Sequence, residues 1–148
     1  MRYVHTNIAA KNWKSLSDFY IKVFGCSLKH PHRNLTGTWL DNATGLTGAH
    51  LEGVHLNLPG YGDNAPTLEI FTYKDMEENN PIMANHIGFT HIAFEVDDVD
   101  QTLKLAIEHG GEMLGQVTEK LVENIGLLKF VYFRDPESNI IEIQSWSN

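Results

Sequence analysis

Residues 90–114, THIAFEVDDVDQTLKLAIEHGGEML, decide the fold, because residues 3–28, YVHTNIAAKNWKSLSDFYIKVFGCSL, repeat their punctuation. Each stretch opens with a short apolar strand carrying a histidine, His5 or His91. Each passes a polar break, Lys11-Asn12 or Asp97-Asp98, and enters an amphipathic segment that stops at glycine. Gly25 follows His5 by 20 residues, and Gly111 follows His91 by the same 20. A shared period of this kind marks a duplicated unit even where residue identity has faded.

The amphipathic segments predict helices. Trp13, Leu16, Phe19, Tyr20 and Val23 recur at spacings of three and four, as do Val99, Leu103, Ala106 and Ile107. Asp98 is placed to cap the second helix, with Gln101 completing a capping box. Gly25 and the Gly110-Gly111 pair stand where left-handed C-caps belong.

Strand character follows each helix, at 112–118, 127–134 and 139–146 in the second unit and at 27–32, 49–58 and 67–73 in the first. Asp135-Pro136-Glu137-Ser138-Asn139 is the turn between the last two strands. An insertion at 39–48 reads as a loop or a single turn. Each half is therefore strand, helix and three strands, which predicts module 1 over 1–73, a polar linker over 74–88 and module 2 over 89–148. A unit of this kind cannot cover both faces of its own sheet, so pairing is expected, within the chain or between chains.

Composition sets limits around this plan. The chain has 148 residues, 42% hydrophobic and 20% charged, enough for one domain or two small modules. Eleven lysines and arginines against 19 acidic residues give a net charge of −8, the wrong sign for a nucleic-acid partner. No apolar run reaches the ~20 residues of a membrane span, and the N-terminus lacks a signal-peptide core. One cysteine, Cys26, precludes an internal disulfide and suits a reducing compartment. A cytoplasmic location is the expectation. Cys26 itself reads as a small buried filler.

Four strands each present one metal-type ligand: His5, Glu69 in Thr67-Leu68-Glu69-Ile70-Phe71, His91, and Glu142 in Ile140-Ile141-Glu142-Ile143. Side chains alternate along a strand, so Val4, Thr6, Leu68, Ile70, Thr90, Ile92, Ile141 and Ile143 form the opposite rows, suited to packing under the helices. An ionised glutamate between isoleucines is costly unless something pairs with it. Two histidines and two glutamates at equivalent places in a repeat point to a shared divalent cation. Their N and O donors cancel its charge without the soft sulfur that selects tetrahedral zinc. The remaining histidines read as surface or rim residues, with His30, His32 or His55 candidates to line the cavity, either behind the metal ligands or in contact with substrate.

The two strand–helix openings, Asp18-Phe19-Tyr20 with Phe24-Gly25, and the closing Asp135 to Glu142 resemble the vicinal oxygen chelate superfamily, the glyoxalase, bleomycin-resistance and extradiol-dioxygenase group. That resemblance covers nearly the whole chain. It implies an α+β fold of two tandem βαβββ modules forming a cupped mixed sheet around one divalent metal ion (Ni, Co, Mn, Zn or Fe), often completed as a homodimer. The His, Glu, His, Glu order looks most like glyoxalase I, which assigns the metal to His5, Glu69, His91 and Glu142. It also implies a metal-dependent lyase or isomerase that removes a proton next to a carbonyl through a metal-chelated enediolate, with Glu142 or Glu69 as base. Trp39, His55, Phe71, Tyr73 and Trp146 would wall the pocket for a small-molecule substrate. Ala9 and Tyr73 depart from the glutathione-binding pattern, so glutathione does not transfer as substrate. The alternatives are an enzyme like methylmalonyl-CoA epimerase, an iron(II) dioxygenase, and a non-catalytic antibiotic-binding protein.

Overall fold

The structure, a computed structural model, describes residues 1–78 and 80–147. Asn79, inside the linker expected at 74–88, and Asn148, at the end of the expected second module, lie outside the described residues. The chain forms two compact units, Met1–Asn79 and Asn80–Asn148.

In the first unit β1 (His5–Ala9) leads to α1 (Trp13–Phe24), β2 (Ser27–Thr36), α2 (Thr38–Thr44), β3 (His50–Asn57) and β4 (Thr67–Tyr73). The sheet order is β1-β4-β3-β2, with β1 parallel to β4 and the other pairs antiparallel. The second unit has β5 (His91–Glu95), α3 (Val99–Glu108), β6 (Glu112–Met113), β7 (Thr118–Val122), β8 (Gly126–Arg134) and β9 (Ile140–Ser147). Its order is β5-β9-β8-β6, with β7 also pairing β8 and β5 parallel to β9. The strand–helix opening and the parallel pairing of first and last strands are the same in both units.

Local chemistry sets both helices. The Asn12 side chain accepts from the Ser15 N–H at 3.1 Å at the start of α1, and Gly25 ends it with φ +69°. That left-handed turn favours glycine, which has no Cβ to clash. The Asp98 carboxylate accepts from the Gln101 N–H at 3.0 Å and starts α3. The helix ends on His109, with Gly110 just beyond at φ +95°. Leu16, Phe19, Tyr20 and Val23 of α1 are buried, as are Val54, Leu56, Leu68 and Ile70 of the sheet beneath it. Val99, Leu103 and Ala106 of α3 are likewise buried, with Val131, Phe133, Ile141 and Ile143 in the sheet of their unit. Each such large side chain contributes about 1.5–3 kcal/mol on removal from water.

Three local expectations change. The insertion at 39–48 is not a loop or single turn but the seven-residue helix α2, whose Leu40 is buried against Ala49, Leu51 and Phe71. The Asp41 carboxylate fastens the return, accepting from the N–H groups of Gly48 (2.9 Å) and Ala49 (2.7 Å). The strand expected at 112–118 is only two residues long, and the chain re-enters the sheet as β7. β7 carries no burial pattern: four of its five residues are exposed, so it had no alternating apolar row to announce it. Val4, expected under a helix, precedes β1 and is exposed.

Part of the linker docks on the second unit. Arg134, nearly buried, donates from Nη2 to the Ile82 carbonyl at 2.7 Å and from Nη1 to the Ser138 carbonyl at 2.6 Å. Beside it Asp135 holds the β8–β9 turn, accepting from the backbone N–H groups of Glu137 (2.9 Å) and Asn139 (3.0 Å).

Cys26 is buried, as expected, and burial pushes its thiol up to about 12 from 9.0. The folded state then holds a proton that the unfolded chain releases near pH 9. Its contribution to stability is therefore complete below pH 9 and declines by about 1.4 kcal/mol per pH unit as pH rises toward 12. Cys26→Ala is expected to flatten that decline in urea denaturation at pH 8 and pH 10. Equal slopes for the two proteins would refute it.

Candidate metal centre

In the first unit β1 and β3 flank β4 and share its register. His5 lies opposite Thr67, Asn7 opposite Glu69, and His55 opposite Glu69 on the other side. Directly paired residues project to the same face, so His5, Asn7, His55 and Glu69 share one, while Leu68 and Ile70 point to the buried side. His5 Nδ1 and His55 Nε2 each lie 3.3 Å from Glu69 Oε1. Asn7 Nδ2 donates to Glu69 Oε2 at 3.5 Å. His55 Nδ1 lies 3.4 Å from Thr67 Oγ1, and its ring meets Phe71 edge-on at 5.7 Å between centroids. Burial lowers the His55 pKa, against the opposing pull of the Glu69 charge, and Arg33, His5 and Lys29 lower it further. The imidazole is thus neutral at pH 7.

The second unit repeats this position for position. His91 lies opposite Ile140, Ala93 opposite Glu142, and Tyr132 opposite Glu142. His91 Nε2 is 3.2 Å from Glu142 Oε2. Tyr132 is the direct cross-strand partner of Glu142, and its ring meets His91 edge-on at 5.0 Å between centroids. Burial raises the Tyr132 pKa first, and the charge of Glu142 adds to it, so the phenol is a neutral donor. His5, His55 and Glu69 therefore correspond to His91, Tyr132 and Glu142. Both glutamates are mostly buried, with side chains 12% and 13% exposed.

The other candidates divide. Phe71 and Tyr73 continue the Glu69 row along β4, where α2 covers them with Leu40. Trp39 faces outward, 57% exposed, and donates Nε1 to the Thr36 carbonyl at 3.0 Å. Trp146 lies on β9 opposite Leu128, in the same alternating row as Glu142. An open cavity of about 640 Å³ near the start of α1 includes Tyr73 but none of His5, His55 or Glu69. That cavity holds His50 and Glu52, which are joined through Asn34 but have no counterparts in the second unit, so the repeated His–Glu pairs locate the site. His32 stacks on Trp13 and His50 contacts Asn34.

The sequence places His55 at the cavity, either supporting the metal ligands or touching substrate, and does not single out Asn7 or Tyr132. Hairpin register is the signal that finds the partners of the glutamates: 55 and 69 are symmetric about the β3–β4 turn, and 132 and 142 about the β8–β9 turn.

Among the described residues no three His, Cys, Asp or Glu side chains converge in a ready-made cation site. The donors come as His–Glu pairs within each unit, His5 and His55 with Glu69 in the first and His91 with Glu142 in the second. Imidazole nitrogen and carboxylate oxygen are donors that divalent metals take. The residues present therefore fit a divalent metal.

The architecture is a mixed α+β one with a repeated strand–helix opening, and the comparisons give it a class. A family model for the Glyoxalase/Bleomycin resistance protein/Dioxygenase superfamily matches residues 2–143, and the chain belongs to that superfamily. No curated protein sequence matches it significantly. The structure is similar to that of a glyoxalase family protein from Bacillus cereus, with TM-score 0.80 and 20% identity over 100% of this chain and 94% of that one. It is also similar to a glyoxalase family protein from Enterococcus faecalis (TM-score 0.59, 21% identity, 97% and 96% covered). The fosfomycin resistance protein FosX from Listeria monocytogenes has TM-score 0.59 at 13% identity, with 99% and 93% covered. At these identities the likeness is one of fold. Among the described residues no helix is long and apolar enough to cross a membrane.

Proposed function

We propose that this chain is a metal-dependent lyase or isomerase of the glyoxalase kind, which moves a proton on a carbon next to a carbonyl of a small-molecule substrate. His5, Glu69, His91 and Glu142 are its metal ligands, one histidine and one glutamate from each unit. The observation that carries the reading is the repetition of a His–Glu pair at one register in both units. A lone pair on one sheet has many structural explanations. The same pair on the same face of two diverged repeats has a common chemical one.

A bound divalent cation supplies Lewis-acid stabilisation of negative charge developing on substrate oxygens. The chain's own groups do the rest. His5 and His91, both on edge strands, present imidazole nitrogen toward the carboxylates. A carboxylate, Glu142 or Glu69, accepts the proton from carbon and returns it at the same or the neighbouring carbon. Tyr132, the cross-strand partner of Glu142, stands beside it during both transfers.

Purified protein loaded with nickel, cobalt, manganese or zinc is expected to melt at a higher temperature than the same protein treated with chelator. Ligand at 100 times its dissociation constant contributes about 2.7 kcal/mol. His5→Ala and His91→Ala are expected to abolish that shift while folding normally. A protein indifferent to all four metals would instead be a metal-independent binder of small molecules.

A further inference from the structure

Each carboxylate of the proposed centre has a partner on the adjacent middle strand that the ligand set does not use. We propose that His55 and Tyr132 are repeat-equivalent positioning residues, which hold the carboxylates of Glu69 and Glu142 for the cation without binding it themselves. The inference rests on the reading of the four ligands given above.

Place in the repeat, rather than distance, separates positioning from ligation. His55 Nε2 approaches the same oxygen, Oε1, that His5 approaches, each at 3.3 Å. What differs is the place in the repeat: His5 recurs as His91, whereas the His55 position is taken by Tyr132. His55 is itself fixed, with Thr67 Oγ1 near its Nδ1 and the Phe71 ring edge-on to it. Thr67 is 3% exposed, so this orientation is built into the sheet. In the second unit the phenol of Tyr132 occupies the His55 place, directly paired with Glu142 and with its ring edge-on to His91. Partners of this kind fix the rotamer of a ligating carboxylate, and their loss costs metal affinity while the ligands remain.

The two halves differ in their reserves. Asn7 Nδ2 gives Glu69 a further donor, whereas Ala93, at the same place beside Glu142, has no side-chain donor. Glu142 therefore relies more on Tyr132 than Glu69 does on His55.

The test is cobalt(II) titration of the full chain, followed by its visible absorption spectrum, for wild type, Tyr132→Phe, His55→Ala and His55→Gln. Tyr132→Phe deletes one hydroxyl and is expected to keep its melting temperature within a few degrees. Its cobalt affinity is expected to fall about 10–100-fold, with a shifted absorption band in the complex that remains. His55→Ala is expected to lose less than Tyr132→Phe, and His55→Gln, whose carboxamide donates to Glu69, to recover most of that loss. Unchanged affinity and spectrum in Tyr132→Phe and His55→Ala, with wild type binding cobalt, would overturn this inference alone. A loss in His55→Gln far beyond 100-fold would also overturn it, by making the imidazole a ligand. Wild-type protein that binds no cobalt overturns the reading of the four ligands and this inference with it.

Discussion

Gly53→Ala is expected to cost the first unit about 3 kcal/mol or more, which for a domain of ordinary stability is a large share of the total. Gly53 lies on β3 directly opposite Phe71, and the space a side chain would need is already taken. A Cβ there would lie 2.0 Å from the Ile70 carbonyl oxygen, 2.5 Å from Phe71 Cδ1 and 2.9 Å from Phe71 Cα. Two of those three atoms are backbone, so no rotamer change relieves the contact and β3 must move away from β4. Ordinary overpacking costs about 1–3 kcal/mol, and separation of a central strand pair belongs at or above the top of that range. His55 stands two residues along the same strand, so its contact with Glu69 should be lost with the register. Gly115→Ala is the control, because a Cβ there meets only the Tyr132 carbonyl oxygen, at 3.7 Å. Urea denaturation decides it: equal midpoints for Gly53→Ala and Gly115→Ala would refute the argument.

That glycine shows where sequence is informative and where it is silent. The strand–helix openings were legible because they depend on local chemistry. Asn12 and Asp98 cap, Gly25 stops, and apolar residues at helical spacing bury one face. The ligand candidates His5, Glu69, His91 and Glu142 stood out as polar residues in apolar strands with a repeat to align them. What touches them was not legible. His55 reaches Glu69, and Tyr132 reaches Glu142, only through the pairing of β3 with β4 and of β8 with β9. Pairing register depends on where each hairpin turns, and between β3 and β4 the turn is a long segment of Gly60, Gly62, Asp63 and Asn64 with no two-residue signature. The helix α2 escaped for a related reason. Its seven residues bury one side chain, Leu40, too few to show a period, and its stability comes from packing on Leu51 and Phe71. In β7, exposure on most residues left no alternation to read.

Glu142→Gln is expected to lower turnover by about 10²–10⁴-fold while leaving the fold intact. The substitution is isosteric, and the flanking Ile141 and Ile143, both fully buried, keep β9 seated. The carboxamide fills the same space beside Tyr132, its cross-strand partner. What disappears is the negative charge, and with it the capacity to take a proton from carbon at neutral pH. The measurement is a screen of metal-replete protein against 2-oxoaldehyde–thiol adducts, with acyl-CoA thioesters alongside. Exchange of the substrate's carbon-bound proton with deuterated water is the readout, since it reports proton removal even where net conversion is slow. Glu69→Gln runs in parallel. Glu69 has Asn7, His5 and His55 around its two oxygens, whereas Glu142 has His91 and Tyr132, so the less encumbered Glu142 is the carboxylate whose loss should stop exchange. A larger fall for Glu69→Gln would transfer the base to the first unit. Exchange undiminished in both variants would remove the carboxylates from the chemistry altogether.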